Sequence, residues 1–287
     1  MKSRLLPLIL LWFCAASWGS PTLPKRVVSL DYATTTTLIA MGLPPIAIAD
    51  IDGYRRWVEH PRLPEHMVDL GGANEPNLEL LAELKPDLIL ITPYQGHLTE
   101  LLSQIAPVHS LSIYQSTGDA ITKAERMTRE LGQILGLNRE AEALIADTLS
   151  HFEQQRKRLE TTISPPLYMV RLHDDRHLWI YGDNSLGEAT LQRLGIINAW
   201  QQPTNTWGFS AQSIDALNAN TSASVLFLEP LPDGGINNVS LTPLWQHQTW
   251  YQQKRFHKVP VVLMFGALPS AQRMATLVVN ALTEEAK

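Results

Sequence analysis

Four segments carry aromatic rings in loop-like stretches where a strand is predicted to meet its connection: Tyr54-Arg-Arg-Trp57, Pro93-Tyr94-Gln95-Gly96, Asn205-Thr-Trp207-Gly208 and Met264-Phe265-Gly266. Ligands of α/β sheets bind beyond the carboxyl ends of the strands. Aromatic walls with a few polar groups suit a small-molecule site. One such ring is explained by local packing, but four at junctions point to a common cleft. Catalytic signatures are missing by contrast. There is no Gly-x-Gly-x-x-Gly, no phosphate loop, no Gly-x-Ser-x-Gly and no His-Glu-x-x-His. A Ser/His/Asp triad stays open, because its members are distant in sequence. His173-Asp-Asp-Arg-His177 has the ligand types of a zinc or manganese site. It falls between two predicted strands and reads as a solvated hairpin turn.

Composition narrows the field. With 287 residues, 45% hydrophobic and 18% charged, the chain is globular and long enough for two domains. A net charge of −5 gives no electrostatic reason to bind nucleic acid. One cysteine, Cys14, excludes an intrachain disulfide and a cysteine metal cluster. Lys2 and Arg4 precede an apolar run over residues 5–16, followed by small residues up to Ser20. That pattern describes a secretory signal peptide over residues 1–19, cleaved near Gly19–Ser20. Bulky Phe13 before Cys14 argues against lipid attachment there. Export would leave a cysteine-free chain in the periplasm, with 21 basic against 28 acidic residues, net −7.

The elements that must position the rings alternate. Apolar runs at 26–30, 47–50 and 87–91 read as strands, and 34–41, 77–84 and 98–105 as helices closed by glycine or proline. From 119 to 163 there is no strand signal, and Gly136-Leu-Asn138 divides the run, with Asn138 placed to cap the helix after it. That second segment is amphipathic and predicts one helix of about 25 residues, roughly 38 Å long. Further strands are predicted at 167–172, 178–181, 225–228 and 259–264, and helices at 188–194 and 269–282. Residues 77–91 align without a gap on 213–227, a constant offset of 136, with an acid at the same place in each, Glu79 and Asp215. The reading is an α/β protein of two Rossmann-like lobes: residues 20–137, a backbone helix 138–163, and residues 164–287.

Several segments resemble the periplasmic ferric-hydroxamate (ferrichrome-type) siderophore-binding proteins of bacterial ABC importers, a branch of the helical-backbone (class III) binding proteins. They are Gly53-Tyr-Arg-Arg-Trp-Val58, Glu75-Pro-Asn-Leu-Glu-Leu-Leu81 with Lys85-Pro86, and Ile105-Ala-Pro107. Gly182-Asp-Asn-Ser-Leu186, Asn198-Ala-Trp-Gln201, Thr204-Asn-Thr-Trp-Gly208, Ser213-Ile-Asp215, Thr242-Pro-Leu-Trp-Gln246 and Phe265-Gly-Ala267 complete the set. The resemblance covers nearly all of the chain after the signal segment.

This resemblance implies two α/β lobes on one rigid helix, capture of a ferric siderophore, and delivery to an inner-membrane permease with its ATPase. It implies a monomer and no enzymatic activity. No cofactor is expected, since the iron arrives already chelated. Trp57 and Trp207 match aromatic pocket residues of the family, and Phe265 stands where the family has tyrosine. The family's tyrosine donor falls on Gln95, with Tyr94 adjacent, and its arginine donor falls on Ala73. Arg171 is the candidate to replace that arginine from the other wall. An acidic citrate–hydroxamate would use Arg55, Arg56 or Arg171, whereas a neutral trihydroxamate needs them less. Glu79 and Asp215 match the pair that docks on permease arginines in related proteins. Alternatives are the same fold binding haem (with Tyr94 as axial ligand), cobalamin or a catecholate siderophore, or a periplasmic hydrolase.

Overall fold

A computed structural model of the chain describes residues 23–114, 116–162, 164–232 and 242–284. The expected signal segment, residues 1–19, and Cys14 lie outside them. Two five-stranded sheets are laid out in the same order. The first runs β3-β2-β1-β4-β5, from β1 (Val27–Ser29), β2 (Ala47–Ile48), β3 (Val68–Asp69), β4 (Leu88–Ile91) and β5 (Val108–Ser110). All its pairings are parallel. The second runs β8-β7-β6-β9-β10, from β6 (Leu167–Leu172), β7 (His177–Tyr181), β8 (Phe209–Ser213), β9 (Ser224–Leu228) and β10 (Phe256–Val259). There β7 is antiparallel to β6 and β8, because a tight hairpin at 173–176 replaces a helical crossover.

Central strands buried on both faces need near-continuous apolar sequence. β1, β4, β6 and β9 meet that need, and every one of their residues is buried. Successive side chains point to opposite faces of a strand. Val27, Leu88, Leu90, Leu167 and Met169 therefore enter a core shared by both halves. Val28, Ile89 and Ile91 pack on the outer face of the first sheet, and Tyr168 and Val170 on that of the second. The 136-residue repeat holds in space: β4 begins at Leu88 and β9 at Ser224, and each is fourth from the same edge of its sheet.

In the first half α1 (Tyr32–Ala40), α2 (Ile51–Trp57), α3 (Leu78–Glu83) and α4 (Thr99–Ser103) connect the strands. Two longer helices then bridge the halves, α5 (Ala120–Leu135) and α6 (Asn138–Arg158). α6 has 21 residues and spans about 32 Å. It buries Ala141, Leu144, Ile145, Thr148 and Phe152, with Glu140 in its first turn and Arg156, Lys157 and Arg158 in its last. That charge order complements the helix dipole. α6 packs on α5 of the first half, and on α7 (Leu186–Leu194) and α10 (Leu268–Glu284) of the second. α10 also reaches back to α1. Two short helices, α8 (Pro243–Gln246) and α9 (Thr249–Gln252), bring Trp245 and Trp250 into the outer core of the second sheet.

The structure corrects four local expectations. Asn138 is the first helical residue of α6 rather than its cap; Leu137 occupies the cap position with no side-chain bond. α6 ends at Arg158, before the predicted 163. The last strand is Phe256–Val259, not 259–264, because Pro260 has no N–H to continue a ladder. Tyr54 and Trp57 lie on α2 rather than in a loop, since the Asp50 carboxylate caps that helix through the Gly53 N–H at 2.9 Å.

Candidate functional site

The carboxyl ends of β1, β4 and β5 open onto a cleft of about 420 Å³ between the two halves. Asp31, Ala73, Tyr94, Gln95 and Tyr114 form one wall; Trp207 and Phe265 close the other. The rings meet across the gap. Tyr94 stacks on Trp207 with centroids 4.6 Å apart, and Tyr114 stacks on the same indole at 5.6 Å. Phe265 sets its edge against Trp207 at 5.2 Å and against Tyr114 at 5.7 Å. Tyr94 is 52% exposed and so stands at the rim. Trp179 and Phe209, stacked at 4.1 Å, extend the cluster behind Phe265.

Each ring is held by its own segment. Tyr94 sits in a 3-10 turn, Pro93–Leu98, capped by Thr92. Tyr114 follows β5, is buried, and donates its hydroxyl to the Met264 carbonyl in the other half at 3.1 Å. Burial pushes this phenol well above its ordinary pKa. Trp207 rides a turn whose backbone N–H groups at 207 and 209 both donate to the Asn205 carboxamide oxygen, at 3.0 and 3.2 Å. Gly208 has φ +78°, and a Cβ there would lie 2.3 Å from the Ser185 backbone nitrogen. A Gly208→Ala variant is therefore expected to lose about 1–3 kcal/mol of stability, read as a lowered urea midpoint. An unchanged midpoint would show that the turn can move away from Ser185.

Gln95 lines the cleft but is not a free donor. Its amide N–H groups donate to the carbonyls of Leu30 (3.0 Å) and Ala73 (2.9 Å). Its carboxamide oxygen accepts the Thr92 N–H at 2.8 Å. The side chain is 4% exposed. It ties the end of β1, the Ala73 loop and the end of β4 together, so it positions the wall, and Tyr94 is the neighbour with an accessible hydroxyl.

Trp57 and Arg171 are outside the lining of this cleft. They meet each other, with the Arg171 guanidinium carbon 5.0 Å from the indole centroid. This cation–π contact joins α2 to β6. Arg171 is 9% exposed; Nη2 donates weakly to the Glu229 carbonyl at 3.4 Å, and buried Nε has no partner. Arg55 and Arg56 line a separate open groove with Glu229 and Lys258. The arginines expected to serve the cleft thus lie outside its lining. Tyr114 escaped the sequence reading because β5, Val-His-Ser, is too short and polar to register as a strand. Had it registered, the strand-end rule would have pointed to Tyr114.

Asp31, after β1, caps α1 through the Thr34 N–H at 2.8 Å. Burial pushes its carboxyl up, against the lowering pull of the Thr34, Ala33 and Tyr32 backbone N–H groups. Ion pairs also tie the two halves together. Arg193 donates both Nη groups to the Asp119 carboxylate at 2.9 and 3.0 Å, and Arg273 pairs with Glu59 at 2.9 Å. Burial acts to raise Asp119, but Arg193 and Thr122 outweigh it and hold the carboxyl below its usual value.

The 173–176 turn is a solvated hairpin as expected: His177 bonds Asp174 at 2.9 Å and holds that exposed carboxyl down at about 2. Among the described residues no group of three His, Cys, Asp or Glu side chains converges as a metal site. Glu79 and Asp215 are exposed, each in the first turn of the helix preceding β4 or β9. Asp215 also accepts the Gln248 amide at 2.9 Å.

Two sheets of the same strand order bridged by a long helix, with an aromatic cleft between them, define a binding protein of the helical-backbone type. The chain belongs to the periplasmic binding protein family, whose model matches residues 27–261. Over 273 residues it is 33% identical to the iron(3+)-hydroxamate-binding protein FhuD of Escherichia coli, covering 95% of this chain and 92% of that one. Its structure is similar to that of the Fe3+-Desferal-bound siderophore-binding protein FhuD from Vibrio cholerae, with a TM-score of 0.84 and 26% identity over 90% of this chain and 97% of that one. The achromobactin-binding periplasmic protein of Dickeya dadantii is 27% identical over 61% of this chain and 56% of its own.

Proposed function

We propose that this chain is the periplasmic substrate-binding protein of an ABC importer, which captures ferric hydroxamate siderophores and delivers them to an inner-membrane permease. The observation that carries the reading is the aromatic cleft: Tyr94 and Tyr114 from one half face Trp207 and Phe265 from the other. A ferric hydroxamate is a rounded complex with an apolar skin over a saturated metal. It needs apolar walls and few donors, not metal ligands, so no resident cofactor is required. Tyr94 and Tyr114 with Trp207 and Phe265 form the contact walls, Gln95 holds the first wall, and Trp57 with Arg171 braces its flank. The absence of a recognisable nucleophile motif supports a binder rather than a catalyst.

The lobes are residues 20–137 and 164–287, with 138–163 as the backbone between them; the two sheets and α6 support this division. Residues 1–19 form the signal that directs the chain to the periplasm, where it works as a monomer. Glu79 and Asp215 dock the lobes on the permease, whose ATPase drives release.

The test is quenching of tryptophan fluorescence by a panel of ferric siderophores. Trp207 lies in the cleft, so hydroxamate complexes should quench at micromolar or lower concentration. Silence with every hydroxamate overturns the reading.

A further inference from the structure

Of the described residues that line the cleft, Asp31 is the one with an acidic or basic side chain of formal charge. Every other lining side chain is apolar, aromatic or neutral polar, and Ala73 leaves the facing loop without a cation. Arg55 and Arg56 serve the separate groove, and Arg171 lies against Trp57. Asp31 forms no ion pair among the described residues. One carboxylate oxygen takes the Thr34 N–H. Burial raises the pKa of this carboxyl, and the N–H groups at the N-terminus of α1 oppose that rise. Beside an apolar cavity, where charge is screened less than in water, a nearby cation favours its ionised form and a nearby anion disfavours it.

We propose that Asp31 sets the charge preference of the cleft: it favours a ferric trihydroxamate carrying a cationic arm, such as a primary ammonium, over the neutral complex, and disfavours anionic citrate-type complexes. The proposal rests on the siderophore-binding reading and narrows its ligand class. The ferric trihydroxamate core has no net charge, since three hydroxamate anions balance Fe3+. Discrimination must therefore come from the periphery of the ligand. Asp31 is a specificity-determining residue in this scheme, and the aromatic walls supply the common affinity.

The experiment uses one iron core at three charges: ferric desferrioxamine B with its terminal amine free, acetylated, or succinylated. Calorimetric titration of the exported chain should rank the three as cation, neutral, anion. About tenfold or more should separate the first from the last, the scale of one charge contact in a partly desolvated site. Asp31→Asn removes the charge and keeps a good helix cap. It should compress the spread to within about threefold. Asp31→Ser, also a good cap, should do the same if Asn perturbs folding, with thermal melts as the check. Equal affinities in the unmodified protein overturn the charge assignment alone. So does a spread that survives both substitutions. Failure of all three complexes to bind the unmodified protein overturns the siderophore reading and this inference with it.

Discussion

Trp207→Ala is expected to weaken ferric-hydroxamate binding by about 30- to 1000-fold, the usual cost of truncating an aromatic anchor at the centre of a contact. Trp207 is the hub of the cleft. It touches Tyr94 and Tyr114 from the first half and Phe265 from its own. The indole therefore does two things at once. It offers ligand contact area, and it fixes the spacing of three other rings, each pair worth about 0.5–1.5 kcal/mol beyond burial. Trp207→Phe keeps a ring and should recover much of the loss. The protein should stay folded, since the indole is only partly buried at the edge of the shared core. Titration of both variants, with Trp57 and Trp179 left as reporters, checks this. Alanine at 207 with unchanged affinity would remove Trp207 from the site.

Reversal of both acids, Glu79→Lys with Asp215→Lys, is expected to abolish siderophore-dependent growth under iron limitation while leaving ligand affinity within about twofold. Charges that face each other across an interface steer encounter, and a like-charge clash costs several kcal/mol. Neither carboxyl lines the cleft, so binding should survive. Asp215 needs a control, because it accepts a hydrogen bond from buried Gln248. Asp215→Asn keeps an acceptor there and should fold as the parent does. Growth that persists with both charges reversed would assign the acids to local helix starts alone, where they favour the dipole. Loss of ligand binding together with growth would point to a folding fault instead.

Local order was readable where a residue pattern has a local cause. Buried central strands demand apolar runs, and β1, β4, β6 and β9 have them. The offset between residues 77–91 and 213–227 needed only alignment. Edge strands were harder: β3, β5 and β8 carry polar or half-exposed residues, since one side faces solvent. Trp245 and Trp250 look alike in sequence to Trp207, yet both are buried in the outer core of the second sheet. Composition cannot distinguish a ring that faces a cleft from one that faces a sheet.

The sequence by itself determined the alternation of strands and helices, the long bridging helix, and three of the four aromatic segments expected at the cleft, those of Tyr94, Trp207 and Phe265. It did so because period, capping and strand-end placement depend on near neighbours. The tertiary structure alone decided which polar groups the cleft can use. Gln95 has both amide hydrogens engaged by carbonyls 22 and 65 residues away. Arg171 is drawn onto Trp57 from the opposite half. Asp31, locally an ordinary helix cap, becomes the acid of the cleft lining once the arginines settle elsewhere. Whether a donor is free and whether a charge is balanced depend on neighbours in space, and those are set by how the two sheets close on each other.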